Sequence, residues 1–250
     1  MGAADPFLPL SRRWVLDSGL SSDDACGAGP PTFPTAVGKE EFALADAGKG
    51  CSFIHYRGVA YRDVRNEVTI NADQPFLMIR SVLSGWGEFL FKGVGDAADS
   101  EDRINLFFHG NPEDACASMH GAHEEMSVAA LMISAERLQS LCEGMRLPRM
   151  LDELLADRAC NGMAQIRTST IKRRLFTDLV VNPYTGSLAK LYSEGKVLEI
   201  VAELLDGMSG EDAGTRHGIE RGQARIGAVC DLLLANLAAP PGQGWMRPCR

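Results

Sequence analysis

The strongest constraint in this chain is a change of hydrophobic period at Ser134. Before it, apolar residues come in short runs with partial alternation, the pattern of strands. After it, they recur at spacings of three and four, the pattern of amphipathic helices. The β-type runs are CSFIHYRGVAYRDV, NEVTI, PFLMIRSVLSG, WGEFLFKG, INLFFHG and EEMSVAALMIS. Gly-rich and acidic stretches such as GVGDAADSEDR separate them and read as connections. A chain that places its strands first and its helices second belongs to the α+β class. Several short strands with turns between them predict a cupin-like barrel or sandwich over residues 51–134, followed by a helical region over 135–208. Residues 1–50, rich in Gly, Pro, Ser and Asp, read as a poorly patterned arm.

The helical part divides at its caps. SAERLQSLCEGM places Leu138, Leu141, Cys142 and Met145 on one face, with Ser134 as N-cap. LPRMLDELLAD restarts at Pro148, a residue suited to a first helical turn. TSTIKRRLFTDLVV carries Ile171, Leu175 and Leu179 on a stripe, with Lys172, Arg173 and Arg174 on a solvated face. The longest candidate is TGSLAKLYSEGKVLEIVAELLDGM. There Leu188, Leu191, Gly195, Leu198, Ala202 and Leu205 form a seam of heptad type. A second stripe, Val197, Val201, Leu204 and Met208, widens the apolar face. A helix of this kind can pack on its own domain and on a partner, so Leu188, Leu191, Leu198 and Leu205 are the candidate dimerisation residues. The alternative is one wide face buried in one core. A polar joint, SGEDAGTRHG, precedes a last helix in which Ile226, Cys230, Leu233 and Leu237 share a face.

Charge and cysteine usage narrow the function. The net charge is −8 over 250 residues, without the basic excess of a free-standing nucleic-acid binder. Seven scattered Cys include no CxxC pair, so neither a zinc ribbon nor a thioredoxin-type motif is supported. Without a signal peptide, reduced thiols in a cytoplasm are expected. No apolar run approaches the length of a membrane span.

Catalytic and cofactor motifs fail in turn. There is no GxSxG and no P-loop, and GVGDAA at Gly93 lacks the context of a dinucleotide site. HGAHEE, His120 to Glu125, gathers two His and two Glu, but the HxH pair of a cupin metal site is absent. A polar loop leading into a strand accounts for it. Cys51 and His55 can share a strand face, yet no base and orienter complete a nucleophile. No catalytic residue, metal ligand or cofactor is therefore assigned. In WGEFLFKG, alternation sends Phe89 and Phe91 one way and Trp86, Glu88 and Leu90 the other.

Two patterns in the C-terminal third carry a resemblance. Leu191, Tyr192, Glu194, Lys196, Leu198 and Glu199 match a linker-helix pattern, LY.E.K.LE. Ala224, Arg225, Leu233, Asn236, Leu237, Pro240 and Pro241 match the segment that opens a DNA-binding domain. Their tandem order resembles the AraC family of transcription regulators, nearest to the branch that senses ferric siderophores of the pyochelin type. The resemblance is good over residues 183–241 and loose over the β-rich part. It implies a β-rich domain that binds a small effector, a helical linker and dimerisation region over 135–208 that forms a homodimer, and sequence-specific DNA contact by two helix-turn-helix units. Residues 218–241 would be the first helix of that DNA-binding domain.

The family pattern continues beyond the Pro pair, whereas this chain reads GQGWMRPCR. No groove-contacting residue of the pattern is present, so DNA is a partner only if that domain is restored. TGG-ATG for Trp245–Met246, shifted by one nucleotide, opens codons for Leu, Met or Val and then Asp, close to the family pattern. Residues 242–250 are read as an out-of-frame tail, with a natural short paralogue whose tail has drifted as the alternative. For the effector, Trp86, Phe89, Phe91 and His109 are the candidate contacts, because aromatics with a few polar groups line such pockets. Two other readings stand beside this one. One is a stand-alone effector-binding and dimerisation module that interferes with a full-length relative. The other is a small-molecule enzyme on a cupin-like barrel.

Overall fold

The structure is a computed structural model that describes residues 10–16, 21–24, 37–70, 74–92, 94–110, 116–148, 151–152, 155 and 161–211. Twelve strands in these residues form two six-stranded antiparallel sheets. The first sheet has the order β2 (Ser21–Asp24), β1 (Leu10–Leu16), β5 (Val64–Ile70), β10 (Cys116–His120), β7 (Gly87–Phe91), β8 (Gly95–Asp99). The second has the order β12 (Gly162–Arg167), β9 (Arg103–His109), β6 (Phe76–Ser84), β11 (Glu125–Ser134), β4 (Cys51–Ala60), β3 (Gly38–Asp46). Helices α1 (Ala135–Leu141), α2 (Thr170–Val180) and α3 (Gly186–Glu211) follow or interleave, and Leu151, Asp152 and Leu155 are helical as well. The α+β, cupin-like sandwich expected from the change of period is the observed architecture.

The second sheet is apolar on both faces, and each face meets a different partner. Leu77, Ile79, Ile104, Leu106, Phe108, Leu131 and Ile133 point to the helices, where they pack with Leu138, Phe176, Leu179, Val197, Ile200, Val201 and Leu204. Phe76, Met78, Phe107, Ala130 and Met132 point the other way and meet Phe89, Phe91, Ala97 and Cys116 of the first sheet. This double burial explains the near-continuous apolar run in β11, whose last nine residues are all buried. Each Leu or Ile fully enclosed here contributes roughly 1.5–3 kcal/mol.

The cap at Ser134 is the one the sequence suggests, and the structure adds a second at Ser169. Ser134 Oγ accepts from Arg137 N at 3.2 Å, and Ser169 Oγ accepts from Lys172 N at 3.1 Å. Along α2, Leu175 and Leu179 are buried, but Ile171 stays exposed. Along α3, Val197, Ile200, Val201, Leu204 and Met208 are buried.

Several expectations need correction. Residues 1–50 are not all arm: β1, β2 and β3 lie there. In β3, Phe42 and Leu44 turn inward against the sandwich core, a short alternation hidden behind the Gly- and Pro-rich stretch before it. The acidic connection contains a strand, β8, which pairs with β7 from Gly87↔Asp99 to Phe91↔Gly95. Register with a neighbour, not side-chain propensity, makes GDAAD a strand. Residues 135–208 are not wholly helical, because β12 adds to β9 at the sheet edge. The helix at 218–241, the tail at 242–250 and most of the segment restarting at Pro148 lie outside the described residues.

Candidate functional site

His109 ends β9 on the face that points between the sheets. Its Cα partner across the ladder is Phe76 of β6, so the two side chains stand side by side on that face. The rings stack at 4.3 Å between centroids, 9° from parallel. From the opposite sheet Phe91 closes over the imidazole at 4.4 Å. His109 is only 1% exposed, and neither ring nitrogen has a hydrogen-bond partner among the described residues. Burial pushes its pKa down to about 3, so the ring is neutral, with one N–H to donate and one nitrogen to accept. A buried polar group left without a partner costs roughly 1–3 kcal/mol.

The aromatic chain continues inward. Phe91 meets Phe107 edge-on at 5.8 Å, and Phe107 lies 4.2 Å from Phe89. The Arg80 guanidinium sits 4.7 Å from the Phe89 ring centroid. Arg80 then pairs with Asp99 of β8, Nη2 to Oδ2 at 2.6 Å and Nε to Oδ2 at 2.8 Å. The second carboxylate oxygen accepts from Asn105 Nδ2 at 2.8 Å, and Gln165 Nε2 donates to Asn105 Oδ1 at 2.8 Å. Asp99 is fully buried, and each of its oxygens has a donor. Two of the polar centres in the sandwich interior are of opposite character. Arg80 and Asp99 satisfy each other and tie β8 to β6 across the sheets. The His109 ring satisfies nothing.

Of the four candidate contacts, the structure brings Phe89, Phe91 and His109 into this interior. Trp86 lies in the β6–β7 turn and is 50% exposed. Phe76 and Phe107, absent from the candidates, complete the cluster. The signal for Phe107 was present in INLFFHG, where it alternates onto the same side as His109. Phe76 became a neighbour only through strand pairing.

Other polar groups lie outside this cluster. Burial raises the Cys51 and Cys116 thiols to about 11 and about 12, so neither is a thiolate near neutral pH. His55 sits 3.2 Å from Ser127 Oγ, and Glu125 of the HGAHEE stretch pairs with Arg57 at 2.6 Å on the surface. Among the described residues, no three His, Cys, Asp or Glu side chains gather as they would around a metal ion. No helix among them is long and apolar enough to cross a membrane.

On α3, Leu188, Leu191 and Leu198 are 61%, 65% and 48% exposed, whereas Leu205 packs half-buried against the core. The first three and Gly195, which has open space where a side chain would stand, form one outward stripe.

The family that this chain matches is one of regulator N-terminal domains. Residues 54–219 match the family model described as "Regulatory protein PchR N-terminal domain", and the chain belongs to that family. A comparison with curated proteins gives no match. Among solved structures, an apo variant of ToxT from Vibrio cholerae is similar at 13% identity and TM-score 0.44, over 66% of this chain and 58% of that one. ToxT from Vibrio cholerae O395 is similar at 12% identity and TM-score 0.35, over 62% and 56%. A cupin protein from Desulfovibrio desulfuricans shows 14% identity and TM-score 0.29, over 45% and 96%. The chain thus spans less than two thirds of the ToxT chains it resembles.

Proposed function

We propose that this chain is the effector-sensing part of an AraC-type transcription regulator and not an enzyme. The small molecule would enter between the two sheets, with a ferric siderophore of the pyochelin type as the candidate effector. Family membership supports the regulator, and the single observation that carries the site is His109. A buried imidazole with two idle nitrogens among aromatic rings weakens the fold unless something binds there. Phe89, Phe91 and His109 would contact the effector, and Trp86 would lie at the rim and report on it. The exposed Leu188, Leu191 and Leu198 would pair two copies through α3 into a homodimer, with Leu205 supporting the helix from within. DNA contact would belong to an AraC-type domain C-terminal to α3, beginning at 218–241. Effector and DNA would be linked because the effector favours one arrangement of the dimer over another.

The test is a fluorescence titration of the purified chain with ferric pyochelin, against ferric iron alone and the iron-free siderophore. The expected result is saturable tryptophan quenching by the ferric complex, with affinity lowered roughly tenfold in His109→Leu, about 1.4 kcal/mol. No saturable change up to about 100 µM, a limit near −5.5 kcal/mol, would refute the siderophore reading.

A further inference from the structure

We propose that the β3–β4 turn, Asp46 to Gly50, is a clamp through which the sandwich holds the first half of α3 and passes strain to it. This rests on the sandwich being the sensor and assigns the part that carries its state to the linker helix.

The two halves of α3 are held by different means. From Val197 onward the helix is anchored by Val197, Ile200, Val201, Leu204 and Met208 in the sheet core. Before Gly195 its leucines point to water, and besides the Tyr184–Tyr192 ring contact at 5.4 Å the described restraints are polar. Asn182 Nδ2 donates to Ala189 O at 3.0 Å and to Ser193 Oγ at 3.1 Å. The other restraint is the turn. Asp46 accepts from Lys190 Nζ at 2.8 Å with one oxygen and from Gly48 N at 2.8 Å with the other. One carboxylate therefore shapes the turn and grips the helix.

Four residues further along the same helix face, Glu194 lies against Gly48. Gly48 has φ +108°, and a Cβ there would overlap the Glu194 side chain. On its other side the turn is seated on the start of α1. Ser134 N donates to Gly50 O at 2.9 Å, and a Cβ at Gly50, whose φ is +65°, would stand 2.7 Å from Ser134 Oγ. Glycine is required at both places by conformation and by space.

The turn also has an input. It joins β3 and β4, paired without a break from Gly38↔Ala60 to Asp46↔Ser52. Phe42, Leu44 and Ile54 on these strands pack against the sandwich interior. β3 is the edge strand of its sheet, so it can shift without breaking a ladder on its far side. A group entering the interior would push this hairpin outward, and a paired hairpin transmits the push to its tip.

Amide hydrogen exchange on the full chain tests the clamp without any ligand. Asp46→Asn and Lys190→Gln should each speed exchange at residues 191–196 about 2- to 5-fold, as suits a half-exposed ion pair, and leave 201–208 unchanged. The exchanged pair, Asp46→Lys with Lys190→Asp, should restore only part of the slow rate, because the ion pair returns but a lysine cannot accept from Gly48 N. Leu44→Ala, from inside the sandwich, should also speed exchange at 191–196. Its effect should be smaller in the Asp46→Asn background, because the link is already cut. Unchanged rates at 191–196 in both single variants, or strictly additive effects of Leu44→Ala and Asp46→Asn, would overturn the proposal. Failure of the siderophore titration would leave these rates as they are, so the two ideas fail separately.

Discussion

The two faces of the second sheet are built to different ends. The face toward the helices is aliphatic and closed, with Leu77, Ile79, Leu106, Leu131 and Ile133 without measurable exposure. The face toward the first sheet is aromatic and sulfur-rich, and it encloses Arg80, Asp99, Asn105 and His109. A face built only for stability would contain no unpartnered imidazole. The contrast teaches that burial alone does not mark a core: each face holds a buried polar group without a partner among the described residues, Ser81 Oγ on the helix side and the His109 ring on the inner side, and only the inner one is set among aromatic rings.

The largest effect should come from the satisfied polar pair. Asp99→Ala leaves the Arg80 guanidinium enclosed without its carboxylate and should lower unfolding free energy by about 3–5 kcal/mol in urea titrations. A loss under about 1 kcal/mol would mean that the pair is solvated and the inner face more open than described. On the opposite face, Leu131→Ala should cost about 2–5 kcal/mol through the cavity it leaves, with no effect on effector binding. If effector binding fell with it, the separation of the two faces would break.

A smaller and more telling effect is pH dependence. The His109 pKa is about 3 folded, against 6.5 for the ordinary side chain. As pH falls, the unfolded chain takes the proton first, so stability is full above pH 6.5 and falls as pH drops toward 3. The slope is about 1.4 kcal/mol per pH unit, or about 2 kcal/mol by about pH 5. Denaturation across this range should be steeper in pH for the wild type than for His109→Leu, in which His55, also lowered by burial, still contributes. The smallest effect on folding should be that of Leu191→Glu, within about 0.5 kcal/mol because the residue faces water. In sedimentation equilibrium the same change should abolish self-association through α3. Unaltered self-association would move the dimer elsewhere.

Much of this fold was legible in the sequence. The change of period at Ser134 separated sandwich from helices, and Ser134 itself caps α1. Alternation in WGEFLFKG separated Phe89 and Phe91 from Trp86 but did not say which side is buried, so Trp86 was grouped with them as a candidate contact. The strands β8 and β12 were not legible, because GDAAD and GMAQIR acquire extended form from their neighbours' ladders. For the site, His109 was visible as a polar residue closing an aromatic strand. Its contacts with Phe76 and Phe91 were not, since one arises from register and the other from two sheets facing each other. The Arg80–Asp99 pair left no trace in spacing, with one partner inside an acidic stretch that resembles a loop.

The measurement that bears most directly on the account is the unfolding free energy of His109→Leu and His109→Phe near pH 8, where His109 is neutral folded and unfolded. If the imidazole is kept for a ligand, at least one replacement should match or exceed the wild type, because it removes an unsatisfied polar group. A loss above about 2 kcal/mol in both would show that the ring is a bonded part of the core. The inner face would then be packing, and the effector site would have to be sought elsewhere.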